Sequence, residues 1–164
     1  MHILSGPIDT MSDVVEAVDL NQTAGDIVIL SAADSDLNCL VRANSKTSSK
    51  TPSLRLANLT KLGHNLSVDI YCEKIISSAK LIIIRLIGGV SYWPYGLEQI
   101  RNTARQAGAK LVVVPGDDKN DPQLTSYSNT SADVIDRIWA YFTNGGVGNA
   151  FNLLEYASTL IGYE

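Results

Sequence analysis

The chain has 164 residues, of which 45% are hydrophobic and 18% are charged, a composition typical of a globular domain with a packed core. Its 13 basic and 17 acidic residues give a net charge of −4, and the basic residues form no cluster, which argues against a nucleic-acid partner. No segment approaches the roughly 20 apolar residues that span a bilayer, and the start of the sequence lacks a secretory pattern. A cytoplasmic protein with no membrane partner is expected.

Apolar runs of strand length alternate along the chain with patterns of helical period. Strands are predicted at residues 3–5, 26–31, the first part of 53–62, 81–86 and 110–115. Helices are predicted at 11–20, from Asp34 or Ser35 through Val41, at 68–78 after an N-cap at Ser67, at 97–107 before Gly108, at 132–144 after an N-cap at Ser131, and at 149–160. Helix and strand patterns compete over 53–62, where a short strand followed by a helical turn is favoured.

The apolar run at residues 81–86 is continuous rather than alternating, which is typical of a strand covered on both faces. Strands that alternate with helices then predict a mainly parallel sheet between two helical layers. The expected fold class is α/β, a three-layer Rossmann-like or flavodoxin-like domain. This domain is expected to cover residues 1–144, with 145–164 forming a helix that leads into a following domain.

The most distinctive candidate site is the segment after the strand at 81–86, because ligands of such sheets bind beyond the carboxyl ends of the strands. A glycine pair permits a sharp turn or a close approach to a ligand. Three aromatic rings would suit a large planar ligand, and an arginine can bind a carboxylate through two hydrogen bonds. These candidate ligand-binding residues are Arg85, Gly88, Gly89, Tyr92, Trp93 and Tyr95. The alternative is structural: the glycines turn the chain, the aromatic side chains cover the sheet edge, and the arginine pairs with an acidic neighbour.

Asp34 follows another predicted strand and is either a helix cap or a further ligand contact. Asp117 and Asp118 after Pro-Gly have two interpretations, a turn or a cation site, and the turn is favoured. The chain has no HExxH pattern, no Cys/His cluster, no Gly-x-Ser-x-Gly elbow and no Walker A motif. We therefore predict no catalytic residue, no metal ligand and no cofactor site in this chain.

Four motifs carry a family resemblance: residues 31–37 (SAADSDL), 52–59 (PSLRLANL), 85–96 (RLIGG followed by YWPYG) and 115–118 (PGDD). In this order they resemble the opening of the CobN family, the large subunits of aerobic cobaltochelatase, which are related to the magnesium chelatase H subunit. The resemblance implies ATP-dependent insertion of Co²⁺ into hydrogenobyrinic acid a,c-diamide during cobalamin synthesis. It also implies AAA+ partner subunits that bind the ATP, which agrees with the missing Walker A motif.

The chain departs from this family in its length, because family members are much longer and their insertion residues lie downstream. The resemblance therefore implies a fragment, a truncated gene or a split subunit, inactive alone, that helps to bind the corrinoid precursor or to assemble the complex with the remaining part of the large subunit. Two alternatives stay open, a magnesium chelatase H-type piece and a flavodoxin- or receiver-like binding or scaffold module. The receiver pattern fits poorly, because Ser5-Gly6-Pro7 stands where an acidic pair is required.

Overall fold

The structure is a computed structural model that describes residues 16–48 and 50–163. The predicted strand at 3–5 and the first half of the predicted helix at 11–20 lie outside the described residues. In the described half of that helix the prediction is wrong, because residues 17–25 have no regular secondary structure. This irregular segment is held by long-range contacts, since the Val18 amide donates to the Ser67 hydroxyl at 2.8 Å.

Four strands form one parallel sheet in the described part of the chain, in the order β2-β1-β3-β4. The strands are β1 (Ile27–Ser31), β2 (Leu54–Asn58), β3 (Leu81–Leu86) and β4 (Lys110–Pro115). Every residue of β1 and β3 is buried, as expected for central strands covered on both faces. The fold class predicted from the sequence is confirmed.

Six α-helices connect and cover these strands in the described residues. They are α1 (Asp34–Asn44), α2 (Asn65–Lys74), α3 (Pro94–Ala107), α4 (Pro122–Thr125), α5 (Ala132–Asn144) and α6 (Gly146–Leu160). Short 3₁₀ turns cover Leu59–Leu62, Ile76–Ser78 and Val90–Tyr92. None of the helices in 16–48 and 50–163 is both long and apolar enough to cross a membrane.

The helices divide into two layers because alternate side chains of each strand point to opposite faces. Val28, Leu30, Ile82 and Ile84 pack with α2 and α3 on one face, whereas Ile27, Ile29 and Ile83 pack with α1, α5 and α6 on the other. In α6, Leu153, Leu154 and Ala157 are buried in the second core. The predicted division of the polypeptide after residue 144 stays a prediction.

Polar side chains cover the outer edge of β4, which would otherwise expose unpaired backbone groups. Asn129 Oδ1 accepts from the Leu111 amide at 2.7 Å, and Asn129 Nδ2 donates to the Ala109 carbonyl at 3.0 Å. The Val113 amide donates to the Ser128 hydroxyl at 2.8 Å. The segment after α4 therefore closes this edge of the sheet.

Helix boundaries show where local patterns and tertiary structure differ. The predicted N-cap at Ser67 is wrong, because α2 begins at Asn65 and His64 Nδ1 accepts from the Leu66 amide. The predicted helix at 68–78 is also divided, with a 3₁₀ turn after Lys74. By contrast, the prediction for α5 is confirmed at both ends, and the Ser131 hydroxyl accepts from the Val134 amide.

Candidate ligand-binding site

The candidate site lies where the sheet topology predicts one. The chain leaves β1 towards one edge of the sheet and leaves β3 towards the other, so a crevice opens between their carboxyl ends. Ser31 at the end of β1 is the register partner of Arg85 near the end of β3. The loops after these two strands carry most of the residues that the sequence predicts for the site.

Arg85 is buried, and every nitrogen of its guanidinium has a partner within the protein. Nη1 lies 3.1 Å from Asp36 Oδ1, Nε donates to the Pro115 carbonyl at 3.3 Å, and Nη2 donates to the Gly116 carbonyl at 3.1 Å. The guanidinium carbon also lies 5.0 Å from the ring centroid of Phe142. The side chain is only 9% exposed. This geometry matches the structural alternative in which Arg85 pairs with an acidic neighbour, and its predicted ligand contact would require breaking these bonds.

Asp36 is the acidic partner, and it is not among the residues predicted for the site from the sequence. Its Oδ2 accepts from the Ser31 hydroxyl at 2.8 Å, and the same hydroxyl accepts from the Ala33 amide at 3.1 Å. The Ser31–Asp36–Arg85 network therefore joins the end of β1, the first turn of α1 and the end of β3. The sequence does contain a pattern that could have indicated Asp36, an acidic residue in the first turn of a helix that follows a strand ending in serine.

Asp34, the acid predicted for the site from its position after β1, lies beside this network on the surface. It is the first residue of α1, and the N-cap is Ala33 without a side-chain cap, so the predicted capping by Asp34 or Ser35 is wrong. Asp34 Oδ1 instead accepts from Asn58 Nδ2 at 2.9 Å, which ties α1 to the end of β2. Its role as a ligand contact stays a prediction.

The glycine pair turns the chain in the way its sequence indicates. Gly88 and Gly89 have φ angles of 95° and 76°, a region that side chains other than glycine rarely adopt. A Cβ on Gly88 would lie 3.2 Å from Tyr92 Cβ, and one on Gly89 would lie 3.4 Å from Asp121 Oδ2. The pair borders an open groove of about 260 Å³ whose wall includes Lys119. We name this concavity the glycine groove.

The three aromatic residues do not form the broad flat surface that their spacing suggests. Trp93 is 2% exposed and donates from Nε1 to the Leu62 carbonyl at 2.9 Å, so it belongs to the core. Tyr95 donates its hydroxyl to Asp69 Oδ1 at 2.7 Å, and this hydrogen bond raises the pKa of Tyr95 above its ordinary value. Tyr92 is half-buried against the same core. The expectation of one shared aromatic surface is wrong, and ligand contact through these residues stays a prediction.

Asp117 shows the turn chemistry that Pro-Gly before an aspartate pair predicts. Its Oδ1 accepts from the Lys119 amide at 3.1 Å, and its carbonyl accepts from Trp139 Nε1 at 2.9 Å. Within the described ranges 16–48 and 50–163, no three His, Cys, Asp or Glu side chains converge as a metal site would require. Asp117, Lys119, Asn120 and Asp121 of the loop after β4 line the glycine groove.

Comparison with known proteins identifies relatives of this chain. The chain is 44% identical over 161 residues to the aerobic cobaltochelatase subunit CobN of Sinorhizobium sp, a match that covers 98% of the chain and 12% of that relative. This chain is homologous to one segment of CobN. The CobN of Pseudomonas aeruginosa is 43% identical over 131 residues, which are 80% of the chain and 10% of that relative. The resemblance to CobN that the four motifs predict is confirmed.

A solved structure agrees with the CobN comparison at the level of fold. The catalytic subunit of cobaltochelatase from Mycobacterium tuberculosis superposes with a TM-score of 0.64 at 24% identity, over 85% of this chain and 11% of that one. No family model matches the sequence. The chain thus spans about an eighth or less of the length of the CobN relatives it matches.

Proposed function

We propose that this chain forms one domain of the large subunit of an ATP-dependent cobaltochelatase, where it supports assembly of the complex and contacts the corrinoid precursor at its edge. The observation that carries this proposal is the 44% identity with CobN across 98% of the chain. The location is proposed to be the cytoplasm. Co²⁺ and ATP would be handled by other parts of the complex, with ATP on AAA+ subunits.

The geometry favours an edge contact over enclosure of the macrocycle. The glycine groove, at about 260 Å³, is smaller than the pockets that enclose drug-sized ligands. Arg85 and Trp93, two of the predicted contacts, are occupied by protein partners. Lys119 is exposed in the wall of the groove and is the cation there that can meet a carboxylate of hydrogenobyrinic acid a,c-diamide. Assembly therefore accounts for most of the proposed role.

The test combines the chain with the remaining part of a cobaltochelatase large subunit and the AAA+ subunits. We expect the chain to co-elute with the large subunit in size-exclusion chromatography and to insert no cobalt when incubated alone with Co²⁺, ATP and the corrinoid. Insertion would be followed by the absorbance change of the corrin. Cobalt insertion by the chain alone would show that the proposal is wrong, and so would failure to associate under conditions where the other subunits assemble.

The edge contact has its own test in the assembled complex. Lys119→Gln should weaken binding of hydrogenobyrinic acid a,c-diamide, measured by fluorescence quenching, by roughly threefold to tenfold because one charge-assisted hydrogen bond is lost. Lys61→Gln is the matched control, since Lys61 is also exposed but lies on the 3₁₀ turn after β2. Equal affinities of the two variants would show that Lys119 makes no contact with the corrinoid, and only the role in assembly would remain.

A further inference from the structure

A second concavity lies away from the carboxyl ends of the strands and is larger than the glycine groove. It has a volume of about 920 Å³ and is open to solvent. Its walls come from α5, α6 and residues 46–48 and 50–52, which lie between α1 and β2. None of these residues belongs to the predicted site or lines the glycine groove. We name it the α5–α6 groove.

Arg137 is held in this groove with part of its hydrogen-bonding capacity unused. Its Nε lies 3.1 Å from the Tyr141 hydroxyl, and its guanidinium carbon lies 4.2 Å from the ring centroid of Tyr156. The two tyrosine rings pack at 6.2 Å between centroids and so link α5 to α6. Within residues 16–48 and 50–163, the terminal nitrogens Nη1 and Nη2 of Arg137 make no hydrogen bond. Arg137 is exposed, and its contacts with the two tyrosines leave the terminal nitrogens open to solvent, so the guanidinium can bind a carboxylate.

The charge of the groove is opposite to that of the chain. Its wall carries Lys46, Lys50 and Arg137 but only one carboxylate, Glu155, whereas the whole chain has 17 acidic and 13 basic residues. None of these three cations forms an ion pair within the described part of the chain. A positive groove on an acidic protein attracts an acidic partner and disfavours pairing of two such grooves face to face.

Apolar surface lies beside these charges. Phe151 and Tyr156 on α6 are half-buried in the wall of the groove, next to the stacked Arg137. Aromatic residues and arginine are the residue types that dominate the binding energy of protein interfaces. A small organic anion would remain largely exposed in a groove with an open side, whereas small-molecule pockets enclose most of their ligand. The shape and composition favour a polypeptide segment.

We propose that the α5–α6 groove docks an acidic segment of a partner protein, with a Glu or Asp carboxylate on Arg137 and apolar side chains against Phe151 and Tyr156. The lysines on the loop before β2 add electrostatic attraction at the rim of the groove. This surface is separate from the glycine groove and does not depend on the cobaltochelatase assignment. Its occupant is identified by its chemistry, a polypeptide segment that carries both acidic and apolar side chains.

The test uses a fluorescein-labelled peptide that alternates glutamate and phenylalanine, titrated with the chain at physiological salt and followed by fluorescence anisotropy. We expect saturable binding, and a peptide with glutamine in place of glutamate should bind roughly tenfold or more weakly. Arg137→Gln should weaken binding of the glutamate peptide by roughly tenfold. Arg105→Gln, an exposed arginine on α3 in the other helical layer, is the matched control and should change it less than about twofold.

Three results would overturn the proposal. Equal losses in the two variants would mean that the peptide responds only to the net charge of the chain. No saturable binding at about 1 mM chain, with both variants folded by circular dichroism, would mean that the groove does not dock such a segment. Displacement of the peptide by succinate at a comparable concentration would assign the groove to small carboxylates. Lys46→Gln gives a second variant at the rim, with a smaller expected loss than Arg137→Gln.

Discussion

Replacement of the Arg85–Asp36 pair tests whether Arg85 stabilises the fold or is available to a ligand. Three variants are compared with the parent chain: Arg85→Met, Asp36→Ala and the double variant. Methionine retains most of the aliphatic volume of arginine beside Phe142, so the loss reports mainly on the guanidinium. Alanine removes the carboxylate that contacts both Arg85 and the Ser31 hydroxyl.

The magnitude follows from what each replacement leaves unpaired. Arg85→Met leaves the Asp36 carboxylate without its cation and the carbonyls of Pro115 and Gly116 without donors. Breaking a buried pair from one side costs about 3–5 kcal/mol, and the upper end applies when both groups are fully buried. Because Asp36 retains 17% exposure, we expect about 3 kcal/mol for each single variant. The double variant leaves no uncompensated charge and should cost about the same as one single variant.

The assay is urea unfolding followed by tryptophan fluorescence, since Trp93 is in the core. The free energies of unfolding should give a coupling energy of about 2 kcal/mol or more between the two positions, with m-values unchanged. Single costs below about 1 kcal/mol, or costs that add without coupling, would refute the argument that Arg85 is a structural residue. Loss of corrinoid binding at full stability would instead place Arg85 in a ligand site.

Two further predictions concern the core. Gly96→Ala should destabilise the chain by about 2 kcal/mol in thermal unfolding, because the new Cβ would lie 2.0 Å from Trp93 Cε2. The control Gly148→Ala in α6, where a Cβ would have no atom within 4 Å, should stabilise the chain slightly, and equal effects of the two variants would contradict the packing argument. Burial raises the pKa of the Cys72 thiol to about 11, so its protonated form is favoured at pH 8, and only roughly 0.1% is thiolate against about a quarter for an ordinary cysteine. In a Cys39→Ser variant, dithionitrobenzoate at pH 8 should therefore react with the folded chain roughly 100-fold more slowly than with the unfolded chain, and a ratio below about ten would contradict the burial argument.

The sequence predicts those elements best whose signals are local and strong. The strands β3 and β4 have the predicted bounds, because a continuous run of branched apolar residues permits little except a buried strand. The helix α5 also has the predicted bounds, because Ser131 caps it and Gly145 ends it with a positive φ. The prediction of Ser67 as an N-cap fails for a tertiary reason, since that hydroxyl binds the Val18 amide 49 residues away.

The candidate site was harder to predict because its residues acquire their roles from partners far along the chain. Asp36 and Arg85 are separated by 49 positions, and no local pattern indicates that they form a pair. The burial of Trp93 has a local signal in the sequence, although the spacing of the three aromatic residues suggests a ligand surface instead. Gly96 stands three residues after it, at the start of α3, and the absent Cβ is what lets the indole lie across the helix. A tryptophan placed in this way belongs to the core, where it cannot also be a platform for a ligand.

The contrast between Arg85 and Arg137 shows what a structure adds to an arginine seen in a sequence. Position near the carboxyl end of a buried strand made Arg85 the better candidate, because ligands gather at the carboxyl ends of parallel strands. Availability depends instead on exposure and on nitrogens without partners. Arg85 is buried, and each of its guanidinium nitrogens is hydrogen-bonded within the protein, to Asp36, Pro115 and Gly116. Arg137 is held by two tyrosines and keeps Nη1 and Nη2 without partners in the described residues. Because binding requires accessible donors without partners, the α5–α6 groove is the stronger location for recognition of a carboxylate.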